Sequence, residues 1–150
     1  MFGPLNMGFE KAEASERAKR ALNQVGIPEN LFDRSPFSLS GGEKRRVAIA
    51  GILAMETDVL ALDEPLAGLD PEGQDGLCDL LERLNKDGRT IIVVSHDSEV
   101  LVKRCKNAAI LEAGKLKDSG SAEEVFKRNL AFASVSSRIK SRLAGMGIDL

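Results

Sequence analysis

The sequence is short of several things at once, and each shortage narrows what the chain can be. Cysteine occurs twice, at Cys78 and Cys105. They form no C-x-x-C pair, and two scattered thiols fit a reducing compartment. No apolar run approaches the ~20 residues that span a bilayer, and no segment resembles a secretory signal. Direct membrane insertion is therefore not expected, and any membrane association would pass through a partner protein. Basic charge is not in excess: 21 Lys and Arg against 23 Asp and Glu leave a net charge of −2, so the basic footprint of a nucleic-acid or anionic-membrane binder is missing. No internal repeat or low-complexity tract occurs. Nor does G-x-x-x-x-G-K-[ST], the loop that cradles phosphates with backbone amides and a lysine. With 43% hydrophobic and 29% charged residues, the 150 residues read as one globular domain, or part of one, able to bury roughly two-thirds of their unfolded surface.

What the chain does have is concentrated between Leu39 and Asp70, LSGGEKRRVAIAGILAMETDVLALDEPLAGLD. Ser40-Gly41-Gly42-Glu43 opens an amphipathic segment. The two glycines let a backbone approach a ligand closely, and the free amides and positive dipole end of the helix they begin form an anion site. Ser40 and Glu43 also fit the capping box S-x-x-E, and the two uses are compatible. Val59 to Leu62 is apolar at every residue and bounded by a turn, as a fully buried parallel strand would be. Chemistry in open α/β sheets gathers at the carboxyl ends of strands, and there stand Asp63 and Glu64. One acid suits a divalent metal and the other a proton, although Asp63 alone would also serve as a strand-end cap. Asp70 before Pro71 fits an N-cap with proline at the first helical position.

At these residues the chain resembles the ATP-binding-cassette (ABC) ATPases. LSGGEKRR is similar to their signature motif, DVLALDEP to their Walker B strand with its catalytic glutamate, and AGLD to their D-loop. Ser95-His96 after Thr90-Ile-Ile-Val-Val is similar to their switch histidine. A finer resemblance, to the energy-coupling-factor (cobalt and vitamin uptake) ATPases, rests on FGPLNMGF from Phe2 to Phe9. The resemblance implies an α/β fold, an incomplete P-loop NTPase (ABC ATPase) fold with a parallel sheet flanked by helices and a helical subdomain at the N-terminus. It divides the chain into a helical subdomain with the signature motif (1–57), the C-terminal part of a RecA-like nucleotide-binding core (58–120) and a C-terminal helical extension (121–150). It implies ATP and Mg²⁺ as cofactors. Asp63 would help hold Mg²⁺, Glu64 would polarise the attacking water, and His96 would join them as a catalytic residue. Ser40, Gly41, Gly42 and Glu43 would contact the ATP of a partner subunit, and Asp70 would lie at the dimer interface.

Taken in order, MFGPLNMGF reads as a loop because it holds Gly3, Pro4 and Gly8. In the family it closely follows the glutamine loop, whose glutamine is absent here. Glu10 to Val25 reads as a helix with Ala14, Ala18, Ala21, Leu22 and Val25 on one face, stopped by Gly26 and Pro28. Its cluster Arg17, Lys19 and Arg20 reads as a solvated face, with contact to a transmembrane coupling element as the alternative. Leu31-Phe32-Asp33 suggests a short helical turn before the linker Ser35-Pro36-Phe37-Ser38. A helix from about Gly42 to Met55 turns Val47, Ala50, Leu53 and Ala54 inward and leaves Lys44, Arg45 and Arg46 solvated. The helix from Pro71 to about Lys86 buries Leu77, Leu80, Leu81 and Leu84. Asp87-Gly88 leads into a buried strand, Thr90 to Val94. Its position would bring His96, a lone and otherwise structural-looking histidine, beside Asp63 and Glu64. Asp97 is expected to cap a helix through about Cys105. Ala108–Glu112 and Lys115–Asp118 read as strands around a tight turn at Ala113-Gly114. Ser121 and Glu124 repeat the capping-box pattern, and Val135, Ile139, Leu143 and Ala144 suggest a final helix ending at Gly145.

The resemblance covers only the C-terminal part of a family domain, so the chain is expected to be a truncated one. ABC ATPases work as head-to-tail dimers in which each nucleotide lies between one subunit's Walker A loop and the other's signature. This chain would supply the signature, Asp63, Glu64 and His96 but not the phosphate cradle, and alone it is expected to be inactive. In the family, the Walker A strand separates the strand that would here be Thr90–Val94 from the one at Ala108–Leu111, so two inner sheet edges would lack partners. The chain would then repack, close the gap with another chain, or be marginally stable. The leading expectation is the ATPase subunit of an importer for metal ions or vitamins. It would be cytoplasmic, peripheral to the inner face of the membrane, and partnered by a second ABC ATPase subunit and a transmembrane subunit. A catalytically silent fragment completing a site in trans is the alternative. A chromosome-maintenance ATPase head would require flanking heptads and a basic surface, and both are missing.

Overall fold

The computed structural model describes residues 1–96 and 98–129. The chain forms two compact units, Met1–Val94 and Ser95–Leu150. Asp97 and the C-terminal segment expected to form a helix around Val135 to Gly145 lie outside the described residues.

The first unit opens with α1 (Phe2–Asn6) where a loop is expected. Gly3 and Pro4 sit in its first turn, where amides have no intrahelical acceptor and the missing N–H of proline costs nothing. Gly8, at φ +88°, ends it. Helix α2 (Lys11–Gln24) follows, burying Ala14 and Ala21. Gly26, at φ +74°, turns the chain out of it so that Ile27 donates its amide to Leu22 O and becomes buried itself. Two short 3₁₀ turns, Glu29–Leu31 and Pro36–Ser38, lead to α3 (Gly41–Leu53). The small residues Ala14, Ala21 and Ala50 let α2 and α3 pack closely. Ile49 joins Ala50, Leu53 and Ala54 in the core, whereas Val47 is only half-buried.

Within the basic cluster of α2, Lys19 and Arg20 are exposed as expected, and Arg17 departs. The Arg17 side chain is 13% exposed. It pairs with Glu13 at 2.9 Å and Glu56 at 2.7 Å, and its guanidinium lies 3.8 Å from the centre of the Phe9 ring. The reason lies 39 positions along the chain, at a residue no helical periodicity can find: Glu56 takes the left-handed conformation (φ +56°) just past α3 and so presents its carboxylate to α2.

Strand β1 (Val59–Asp63) and strand β2 (Thr90–Val94) pair in parallel, with Val59 opposite Thr90 and Asp63 opposite Val94. Helix α4 (Pro71–Lys86) connects them and packs on β2, burying Leu77, Cys78, Leu80, Leu81 and Leu84. The two strands are not buried on both faces as expected. Leu60 is buried and Leu62, Ile91 and Val93 are half-buried on the helix-covered side, while Val59, Ala61, Ile92 and Val94 are exposed on the other. Neighbouring side chains in a strand point to opposite faces, and among the described residues only one face of this pair is covered.

The second unit contains α5 (Ser98–Arg104), the antiparallel pair β3 (Asn107–Glu112) and β4 (Lys115–Ser121), and α6 (Ala122–Arg128). The hairpin turn places Ala113 and Gly114 at φ +49° and +75°, a type I′ arrangement suited to the twist of a two-stranded ribbon. Strand β4 runs three residues beyond the expected Asp118. Asp118 accepts both Nε and Nη2 of Arg128 and Nδ2 of Asn129, latching the end of α6 to the strand. Strands β2 and β3 belong to separate two-stranded sheets.

Candidate functional site

The start of α3 is fully specified by local chemistry. Ser40 Oγ accepts the Glu43 amide at 3.3 Å, and Glu43 Oε2 accepts the Ser40 amide at 2.7 Å, completing the capping box. The Ser40 backbone N–H, followed by its hydroxyl, holds the Glu43 carboxyl below its ordinary value, with Arg46 and Arg34 adding to the effect. The box satisfies the amides of Ser40 and Glu43 and leaves those of Gly41 and Gly42 without an acceptor among the described residues. The Ser40 hydroxyl is itself engaged with the Glu43 carboxylate, so the donors the box leaves over are the two glycine amides. Capping and anion binding thus draw on different groups of the same turn. The Glu43 side chain is engaged in the cap itself.

Asp63 ends β1, exposed, in register with Val94. Glu64 follows in the left-handed conformation at φ +45°, an unfavourable backbone for a residue with a Cβ. Two bonds hold it there. Its amide donates to Val94 O at 2.8 Å, and its carbonyl accepts the Ala67 amide at 3.2 Å. Pro65 and Leu66 bury themselves beneath the turn. Gly68 (φ +74°) and Leu69 then carry the chain to Asp70, whose Oδ1 caps α4 by accepting the Gly73 amide at 2.9 Å. Gly73 suits this cap because a Cβ there would fall 2.6 Å from Asp70 Oδ1.

An open groove of about 330 Å³ separates the first turns of α3 from this loop, with Gly41, Lys44, Arg45 and Ala48 on one side and Ala67, Gly68 and Leu69 on the other. Arg45, expected in solvent, is half-buried and donates from Nη2 to Ala67 O at 2.7 Å. No signal within the sequence marks it. Three consecutive basic residues look alike until the fold brings a carbonyl within reach of one of them. Gln74 Nε2, likewise unremarked, donates to Leu69 O at 3.2 Å from the opposite side.

Ser40 to Glu43, Asp63, Glu64 and Asp70 all lie in the first unit, and of the Ser40–Glu43 turn Gly41 lines the groove opposite Ala67, Gly68 and Leu69. Ser95 and His96 open the second, with His96 exposed. No three His, Cys, Asp or Glu side chains gather into a metal cage among the described residues. Magnesium carried by nucleotide phosphates needs only one or two protein carboxylates, and Asp63, exposed at a strand end, meets that smaller demand.

A family model described as ABC transporter matches residues 4–67. The energy-coupling factor transporter ATP-binding protein EcfA2 of Mycoplasmopsis pulmonis is 48% identical over 124 residues, which cover 82% of this chain and 41% of that protein. Among solved structures, cbiO1 of Clostridium perfringens, part of the ABC transporter complex cbiONQ, is 39% identical with a TM-score of 0.74, over 97% of this chain and 57% of that one. A bacterial ABC transporter cassette solved as a dimer, MJ0796, is 29% identical with a TM-score of 0.62, over 76% of this chain and 49% of that one. The chain spans about two-fifths of the curated relative's length.

Proposed function

We propose that this chain, which belongs to the ABC transporter ATP-binding family, supplies the signature half of a composite ATP site in an energy-coupling-type importer. The observation that carries this reading is the turn at Ser40. Its capping box orders the helix start yet leaves the Gly41 and Gly42 amides as donors among the described residues. Two backbone donors at the positive end of a helix suit a phosphate oxygen held by another subunit. Asp63 would help hold Mg²⁺, which would supply charge neutralisation for the phosphates. Glu64 would orient the attacking water and accept its proton, its carboxylate aimed by the constrained backbone. Asp70, at the end of the same turn, would face the second subunit, and His96 would complete the catalytic set.

The similarity to proteins named for energy coupling and to a member of a cbiONQ complex supports uptake of a metal ion or a vitamin as the coupled process. On this reading the chain is cytoplasmic and peripheral to the membrane, with a transmembrane subunit and a second ATPase subunit as partners. No helix among the described residues is long and apolar enough to cross a membrane. Because the sequence contains no G-x-x-x-x-G-K-[ST] loop, the chain alone would be catalytically silent and act in trans.

Equilibrium binding of Mg·ATP to the 150-residue chain, with and without a full-length homologous ATPase, tests the reading. The expected result is no binding by the chain alone and ATP-dependent association with the homologue. Ser40→Arg should abolish that association while circular dichroism stays unchanged. Tight binding and turnover by the isolated chain would overturn the trans assignment.

A further inference from the structure

The loop from Glu64 to Asp70 is held at several points, and most of them are local. Glu64 is tied to Val94, Ala67 to Glu64, Leu69 to Leu66, and Asp70 to Gly73. The contact from Arg45 differs in kind. The Glu64–Val94 bond ties the loop to the neighbouring strand, whereas this one comes from a charged side chain and links the loop to the first turns of α3 at 2.7 Å. The open groove between these segments means that Arg45 spans a gap that side-chain packing does not fill. Its donor is charged, which makes the bond to a carbonyl stronger than a neutral one. Gln74 secures Leu69 O from α4, so the loop is clamped from both flanking helices.

We infer that Arg45 is a positioning residue: it holds the Glu64–Asp70 loop at a set distance from the Ser40–Gly42 turn, so that the anion-facing helix start and the acid-bearing loop move as one body. The consequence for assembly rests on the proposed function. A nucleotide drawn against Gly41 and Gly42 would carry the loop, and with it Asp70, into place against the second subunit. Lys44 and Arg46, on either side of Arg45 in sequence, make no hydrogen bond to this loop among the described residues and are not interchangeable with it.

The test uses the full chain and two substitutions. Arg45→Met keeps length and removes the donor, and Arg45→Lys restores a single donor. Native-state amide exchange at Ala67 and Leu69 should quicken at least about fivefold in Arg45→Met, while exchange at Leu80, Leu81 and Leu84 and the melting temperature stay unchanged. Arg45→Lys should recover most of the protection. ATP-dependent association with the full-length homologue should weaken about tenfold in Arg45→Met and be largely rescued by lysine. Unchanged exchange at Ala67 and Leu69 would overturn the inference, and so would faster exchange with full association. If the wild-type chain shows no ATP-dependent association, the proposed function fails, and the exchange arm still decides whether Arg45 holds the loop.

Discussion

Ser40 and Glu43 exchange two hydrogen bonds, and that exchange makes the start of α3 sensitive to acid. The folded Glu43 carboxyl titrates below its ordinary value of 4.5, chiefly because the Ser40 amide donates to it. A depressed folded value means the contribution is present above the unfolded value and is lost as pH falls through the folded one. Urea unfolding followed from about pH 6 to about pH 3 should therefore show a steeper acid limb for the wild type than for Glu43→Gln. Parallel limbs would show that the cap carries no acid dependence. At this scale the sequence was highly readable wherever both partners lie within a turn of each other. The caps at Ser40, Asp70 and Ser121 all hold their expected amides. It was unreadable in the distant partners of Arg17 and Arg45, which are Glu56 and Ala67 O. Charge and helical position were known for both arginines, but the acceptor was not.

Among the elements, the helices and strands fall close to their expected places, and the differences have local causes. The expected loop at the N-terminus contains a helix because Gly3 and Pro4 occupy a first turn rather than an interior. The β3–β4 hairpin shows how an adequate turn sequence can be improved. Ala113 pays the left-handed penalty that Gly114 avoids. An L-residue with a Cβ loses roughly 1–2 kcal/mol there, and glycine gives back about half of that in chain entropy. Ala113→Gly should stabilise the hairpin by about 0.5–1 kcal/mol, read as slower amide exchange across β3 and β4. Faster exchange would mean that Ala113 makes a packing contact outweighing its backbone strain.

For the molecule as a whole, the feature to explain is the β1–β2 pair, which among the described residues is covered on one face only. Val59 is 52% exposed, Ile92 48% and Val94 56% on the uncovered side. A contiguous apolar patch of this kind favours association or the binding of apolar probes. The double substitution Ile92→Thr and Val94→Thr should lower binding of an apolar fluorescent dye and reduce concentration-dependent association. Because about half of each side chain already meets water, stability should change by less than about 1 kcal/mol. A loss of several kcal/mol would place these residues in a core and refute the exposed face. The expectation of fully buried strands failed here because an unbroken apolar run is written the same way whether one face or two are covered.

The sequence by itself determined the local grammar of this protein. It set the capped starts of α3, α4 and α6, the turns at Gly26 and Ala113-Gly114, the acids at the end of β1 and the motifs that place the chain among ABC ATPases. Each depends on residues within a few positions of one another, where covalent geometry limits the choices. Only the tertiary structure decided which arginine braces the Glu64–Asp70 loop, which one is drawn under Phe9 and Glu56, and which face of the β1–β2 pair is left open. Those outcomes depend on how distant segments pack, and the energies involved belong to pairs that no stretch of sequence contains.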